Sequence, residues 1–143
     1  MTENNSSFPF EAVSAVLLRV GLGVLFFFAG LNKIVGGPIE TAQGMIGNFE
    51  ETYLPVILVA PFAYGLPYIE VLLGAALIVG IFTKPMLTVA GILLIMLSLG
   101  TNVLGDPPTT ANNINYVLVT VAALYFACRD NRWSADTCVG KNF

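Results

Sequence analysis

The sequence predicts an all-α membrane protein, a four-transmembrane-helix bundle with a short amphipathic helix between helices 1 and 2. Three observations carry this. The chain has 143 residues, of which 56% are hydrophobic and only 10% charged, with a mean hydropathy of +0.80; soluble domains carry roughly 25% charged residues. Four apolar runs, residues 12–31, 59–82, 86–104 and 114–128, approach or exceed the roughly 20 residues that cross a bilayer. Two of them enclose one charged residue each, Arg19 and Glu70, whereas the other two carry no charge. An ionisable group at membrane depth costs at least about 2.5 kcal/mol and therefore turns toward protein or a water-filled cavity. The whole chain, 1–143, is expected to be one membrane domain, with no separate soluble catalytic domain.

Helix 1 is expected over 12–31. The N-terminus lacks the positive region of a signal peptide and no small-residue cleavage site follows, so this run should remain as a span. Ala15, Arg19, Gly23 and Phe26 recur at three to four residues and share one face, where the small residues admit a close neighbour. Asn32 and Lys33 end the span. Gly36-Gly37-Pro38 then breaks the chain, and Pro38 suits a first helical position. Ile39, Ala42, Met45, Ile46, Phe49 and Tyr53 follow with helical period, interleaved with Glu40, Gln43, Asn48, Glu50 and Glu51. This is a short amphipathic helix, and its acidic polar face favours packing on the bundle over binding anionic lipid.

Helix 2 is expected over 59–82, with a start as early as Val56. Pro67 removes a backbone donor and crowds the carbonyl four residues back, so a kink and a small polar pocket are expected beside Glu70. Thr83-Lys84-Pro85 reads as a tight turn that makes helices 2 and 3 antiparallel neighbours. Helix 3, over 86–104, places Ser98 and Asn102 four apart on one face. Gly105-Asp106-Pro107-Pro108 reads as a turn, and helix 4 follows over 114–128. The remaining tail is short and polar.

The chain contains no histidine, which excludes the usual haem axial ligand, His-based copper and zinc sites and Glu-x-x-His di-iron motifs. Cys128 and Cys138 form no C-x-x-C pair, so neither a metal site nor a redox dithiol is expected. A net charge of −3 supplies no basic patch for nucleic acid. No intrinsic cofactor is expected; redox activity would need a lipid quinone or a partner's group.

Lysines and arginines outside the spans set orientation. With four spans, Lys84, Arg129, Arg132 and Lys141 share a side with both termini, against Lys33 alone on the other. The expected orientation is N-in and C-in across the cell inner membrane. Asn32, Lys33, Asn102 and Asn115 then gather at the outer end as candidate ligand contacts, with Tyr68 nearby. Asn102 and Asn115 are expected to hydrogen-bond between helices. Tyr64, Tyr68 and Tyr116 suit an interfacial aromatic belt. Whether Arg19 meets Glu70 is left open: their heights are within an arginine's reach, yet helical side chains lean toward their own N-terminus, which turns the two apart. A structural ion pair and a functional site both remain. In the functional reading Glu70 exchanges a proton with, or hydrogen-bonds, a quinone head group or similar small molecule.

The stretch LLRVGLGVLFFFAGLNKI resembles the opening of DoxX family membrane proteins, with an arginine in an L-L-R-x-G-L-G context and a glycine before a polar-lysine end. LPYIEVLLGAALIVGIFTK resembles the family's second helix, with its intramembrane acid, following glycines and basic turn. RDNRWSADTCVG is similar to the family's short ending around Ser-x-Asp. The resemblance carries over Arg19, Glu70, Gly74, Gly80 and Asp136 and implies a four-helix membrane bundle. The family's name comes from a subunit of a thiosulfate:quinone oxidoreductase, and relatives include a methylamine dehydrogenase maturation protein and subunits of redox-stress complexes. Many relatives carry histidines near the third and fourth helices; this chain has none. The resemblance implies a membrane subunit of a redox assembly, with Glu70 and Arg19 as its catalytic pair, lipids and other redox subunits as partners, and quinone as the small molecule. The alternative is a non-enzymatic accessory subunit that docks on a larger complex.

Overall fold

The computed structural model describes residues 10–129 and 133–138. Five main helices follow in order: α1 (Phe10–Val35), α2 (Pro38–Phe49), α3 (Val56–Val79), α4 (Thr83–Val103) and α5 (Pro107–Arg129), with a single turn, α6 (Ala135–Cys138), behind them. Among the described residues there is no strand. α1, α3, α4 and α5 are each long and apolar enough to cross a membrane. Many of their large apolar side chains, such as Leu17, Leu72, Leu99 and Leu118, point outward, where hydrocarbon covers them.

The helices start and stop where local chemistry dictates, and this moves several boundaries. α5 begins seven residues before the expected 114. Asp106 acts as its N-cap, accepting the Thr109 N–H at 3.2 Å, and Pro107 follows at a position that needs no N–H. The polar stretch 109–113 is thus helical through its cap, not through apolar periodicity. The expected turn at Thr83-Lys84-Pro85 is instead the first turn of α4. The reversal occurs at 80–82: Gly80 ends α3 in the left-handed region (φ 81°) and Phe82 sits there too (φ 49°). α1 runs past Asn32 and Lys33 to Val35, and Gly37 (φ 98°) makes the break before Pro38. α3 passes through both Pro61 and Pro67 as one helix.

α1 and α3 form the tightest seam. They run antiparallel, and glycines set their separation. A Cβ on Gly30 would lie 2.6 Å from the Pro67 carbonyl oxygen, and one on Gly23 would lie 2.9 Å from the Ile78 nitrogen. A Cβ on Gly74 would collide with the backbone of Phe27. Ala15, Arg19, Gly23 and Phe26 are all buried along α1, so the predicted small-residue face is the packed face. In lipid there is little hydrophobic gain from bringing two apolar helices together, so close backbone approach and polar contacts carry association. Leu22 and Phe26 meet Leu66, Leu73 and Leu77 of α3, and the core continues through Leu87 and Leu94 of α4 to Ala123 and Ala127 of α5.

α4 and α5 form the second antiparallel pair, tied at one end by Thr101 Oγ1 and Thr110 Oγ1 at 2.8 Å. α5 also lies along α1, with Phe10 edge-on to Phe126 and Glu11 paired to Arg129 at 3.0 Å. α2 packs on α3 through buried Ala42 and Phe49, as expected of a helix that caps the bundle. Ile39, assigned by periodicity to the same apolar face, is 57% exposed instead.

These contacts fix a register with one consequence. Gly80 and the α3–α4 turn lie level with Arg19, whereas Glu11 and Arg129 meet eight residues further along α1. At 1.5 Å per residue the α3–α4 turn stops about 12 Å short of the ends of α1 and α5. Residues 133–138 fold back into that step.

Gly74→Val is expected to cost at least about 2 kcal/mol, because the added carbons meet backbone that cannot rotate away. Gly21→Ala, with open space around it, is expected to stay within about 0.5 kcal/mol. Unfolding titrations in mixed detergent micelles check both.

Candidate functional site

Charge is buried at two levels of the α1–α3 seam. At the α2 end, the Lys33 ammonium donates to both Glu70 oxygens, at 2.6 and 2.5 Å. Glu70 is 2% exposed and the Lys33 side chain 26%. Gly30 makes room for this: its missing side chain lets Glu70 Cβ and Val71 sit against α1. The pairing follows from helix geometry. α1 and α3 are antiparallel, and each side chain leans toward its own N-terminus. Lys33 therefore leans back along the span while Glu70 leans toward the α2 end, and the two converge. A charge-assisted contact of this kind is stronger than a neutral hydrogen bond. The Lys33 carbonyl in turn accepts the Thr41 hydroxyl at 3.5 Å, which links the site to α2.

The same lean separates Arg19 from Glu70. Arg19 lies beside Gly80, ten residues beyond Glu70 on α3, or about 15 Å along the helix. Of the two arrangements that the sequence leaves open, the structure forms neither a direct pair nor a shared site. Arg19 is 4% exposed and donates from Nη2 to the Trp133 carbonyl at 3.1 Å. A Cβ on Gly80 would lie 2.5 Å from its Nη1, so glycine is needed here for space as well as for its positive φ. Asp136 completes this second cluster. Its carboxylate accepts the N–H of Phe82 at 2.6 Å and of Thr83 at 2.8 Å, and its own N–H donates to the Gly80 carbonyl at 3.3 Å. A tail residue thus caps α4 from across the fold. Burial works against ionising Asp136, but the two backbone donors and the nearby Arg19 charge outweigh it and hold the carboxyl below its ordinary value.

Asn32, Tyr68, Asn102 and Asn115 are exposed on the outer faces, and none makes a side-chain hydrogen bond to another described residue. The hydrogen bonds expected between helices from Asn102 and Asn115 are therefore not formed: both project from α4 and α5 away from the packed faces. Ser98, four residues before Asn102, turns inward and donates to the Leu94 carbonyl. The pocket expected beside Pro67 is filled by Gly30 and Glu70. A cavity of about 600 Å³ lies instead between α2, the first half of α3 and the last half of α4, walled by Met45, Phe49, Phe62 and Met96 and reaching Thr41. Its volume falls within the range of small-molecule pockets. Cys128 is exposed at the end of α5.

Periodicity alone missed Lys33 as the partner of Glu70 and Asp136 as a helix cap. The first was readable from side-chain lean once α1 and α3 were taken as antiparallel. The second had no local signal, because the cap and the helix it serves are 53 residues apart.

The DoxX family model matches residues 14–106. The match takes in Arg19, Lys33 and Glu70 and ends before α5. No curated protein and no solved structure matches.

Lys33→Met is expected to destabilise the bundle by about 3–5 kcal/mol, because it leaves a buried carboxylate unpaired. Lys33→Met combined with Glu70→Leu should recover most of that loss, as read by thermal denaturation in detergent. The contribution of Asp136 should be fully present at neutral pH and lost only as pH falls through and below the usual carboxylate value near 4, because its folded value is depressed. Trp133 emission against pH measures it.

Proposed function

Because the chain belongs to the DoxX family of membrane proteins, we propose that it is the membrane subunit of a redox assembly and presents Lys33 and Glu70 to a quinone head group or a similar small molecule. The observation that carries this reading is the state of the Lys33 ammonium. Two of its three N–H bonds are given to Glu70, and the third has no partner among the described residues, on a side chain still partly open. A ligand carbonyl is the natural acceptor for it. Glu70 would then exchange the proton, and Lys33 would stabilise developing negative charge on the ligand oxygen. Arg19, the partner considered from sequence, is engaged elsewhere by the Trp133 carbonyl. Electrons would come from a partner subunit.

The cavity between α2, α3 and α4 supports the same reading. Its walls are largely apolar, which suits a hydrocarbon chain, and Thr41 connects it to the Lys33 backbone. In this reading the end carrying both chain termini, which has the excess of lysine and arginine, would face the cytoplasm and the Lys33 end outward.

A second reading, an accessory subunit without chemistry, is favoured by the outward position of Ile39 on α2, next to exposed Val35. An apolar residue on a capping helix would suit a protein neighbour. Here Ile39→Asn would abolish co-purification of the partner, while quinone recovery would not change.

The test is mild-detergent purification, with bound proteins and lipids identified by mass spectrometry, on the wild type and on Glu70→Gln. Co-purified redox subunits, and quinone-dependent turnover that falls at least 100-fold (about 2.7 kcal/mol) in a variant that still inserts, are the expected result. Normal turnover in Glu70→Gln would overturn the assignment.

A further inference from the structure

Arg19 is a buried cation that the proposed chemistry does not use. In a membrane bundle such a residue is costly, so the contacts that hold it bear on what it does. Among the described residues, its polar neighbours come from residues 133–138, which lie against the α3–α4 turn. The turn is strained, since Phe82 is the one non-glycine residue with positive φ among the described residues. Two of its N–H groups, those of Phe82 and Thr83, point to where α4 begins and are satisfied by Asp136. The Gly80 carbonyl, at the end of α3, takes the Asp136 N–H. Arg19 takes the Trp133 carbonyl. The segment therefore touches α1, the end of α3 and the start of α4 at once.

We infer that residues 133–138 form a releasable strap that closes the step at the terminal end of the bundle, with Arg19 and Asp136 among its fastenings. Three features set it apart from the core. The fastenings from Arg19 and Asp136 are polar, the Trp133 side chain is 52% exposed beside a buried Ser134, and the apolar core is made by the four spans without it. Polar fastenings can be exchanged for water or for a partner's groups, whereas the glycine seam cannot. With the strap off, the Arg19 guanidinium and the two N–H groups at the start of α4 lose their acceptors together, so the closed and open forms differ at one defined surface. Arg19 is in this sense a positioning residue: it holds the strap. The strap adds a conformational device at the opposite end of the molecule from the Lys33–Glu70 site and does not rest on that site's proposed chemistry.

Trp133 is the single tryptophan of the chain, so its fluorescence reports the strap without a label. The experiment uses the full-length chain in lipid nanodiscs. Acrylamide quenching of Trp133, its anisotropy and trypsin cleavage after Arg129 and Arg132 are compared in the wild type, Asp136→Ala and Arg19→Lys. The expected result is a threefold or larger rise in quenching, a fall in anisotropy and roughly tenfold faster cleavage in Asp136→Ala, with helix content by circular dichroism unchanged. Arg19→Lys, which keeps the charge and loses the guanidinium reach, should give a smaller change of the same sign. Quenching and cleavage equal to wild type in Asp136→Ala would overturn the inference. So would loss of helix content in both variants, since the segment would then be part of the folding core and not a strap.

Discussion

A carboxylate buried between two transmembrane helices constrains this molecule more than any other group. Glu70 is removed from water on every side, and a lone acid in that position would cost more than the modest attractions that bring helices together in lipid. The fold answers with Lys33. That pairing demands an antiparallel α1 and α3, a register that puts Gly30 opposite Glu70, and a backbone separation small enough for the ammonium to reach both oxygens. Gly23 and Gly74 supply the same separation lower in the seam. The glycines and the ion pair thus act on one seam: the glycines set the backbone separation, and the ion pair satisfies the acid buried within it.

The rest of the architecture follows from that register. Once α3 is set against α1, its end at Gly80 falls beside Arg19 and leaves the α3–α4 turn short of the ends of α1 and α5. The turn then needs a cap that its own sequence does not supply, and Asp136 provides it. α4 packs on α5, and at the far end α3 and α4 border a cavity roofed by α2. Polar chemistry is thereby divided between two levels about 15 Å apart along α3. One level holds an acid and an amine with a donor to spare; the other holds a guanidinium committed to the tail.

Much of this was legible in the amino-acid sequence. Composition and four apolar runs gave the class, the recurrence of Ala15, Arg19, Gly23 and Phe26 gave the packed face of α1, and Gly36-Gly37-Pro38 gave the start of α2. Hydropathy could not see α5 begin at Pro107, because a cap and a proline, not apolar spacing, start that helix. Nor could it find the reversal at Gly80, where two left-handed residues precede a proline that merely sits in the next helix. For the site, Glu70, Arg19 and Lys33 stood out as ionisable residues in or beside spans. Their pairing depended on axial register to within a turn, which glycine contacts set and apolar runs do not. Asn32, Asn102 and Asn115 are exposed and make no hydrogen bond between helices, because sharing a height does not place side chains on facing sides of their helices.

The most direct measurement is a through-space nuclear magnetic resonance experiment on the isotope-labelled protein in lipid bilayers, reading the coupling between the Lys33 side-chain nitrogen and the Glu70 carboxyl carbon. The account predicts a strong coupling between these two nuclei and none between Glu70 and the Arg19 guanidinium. A coupling from Glu70 to Arg19, or a Lys33 nitrogen with no carboxyl neighbour, would contradict the register on which the fold and the site both rest.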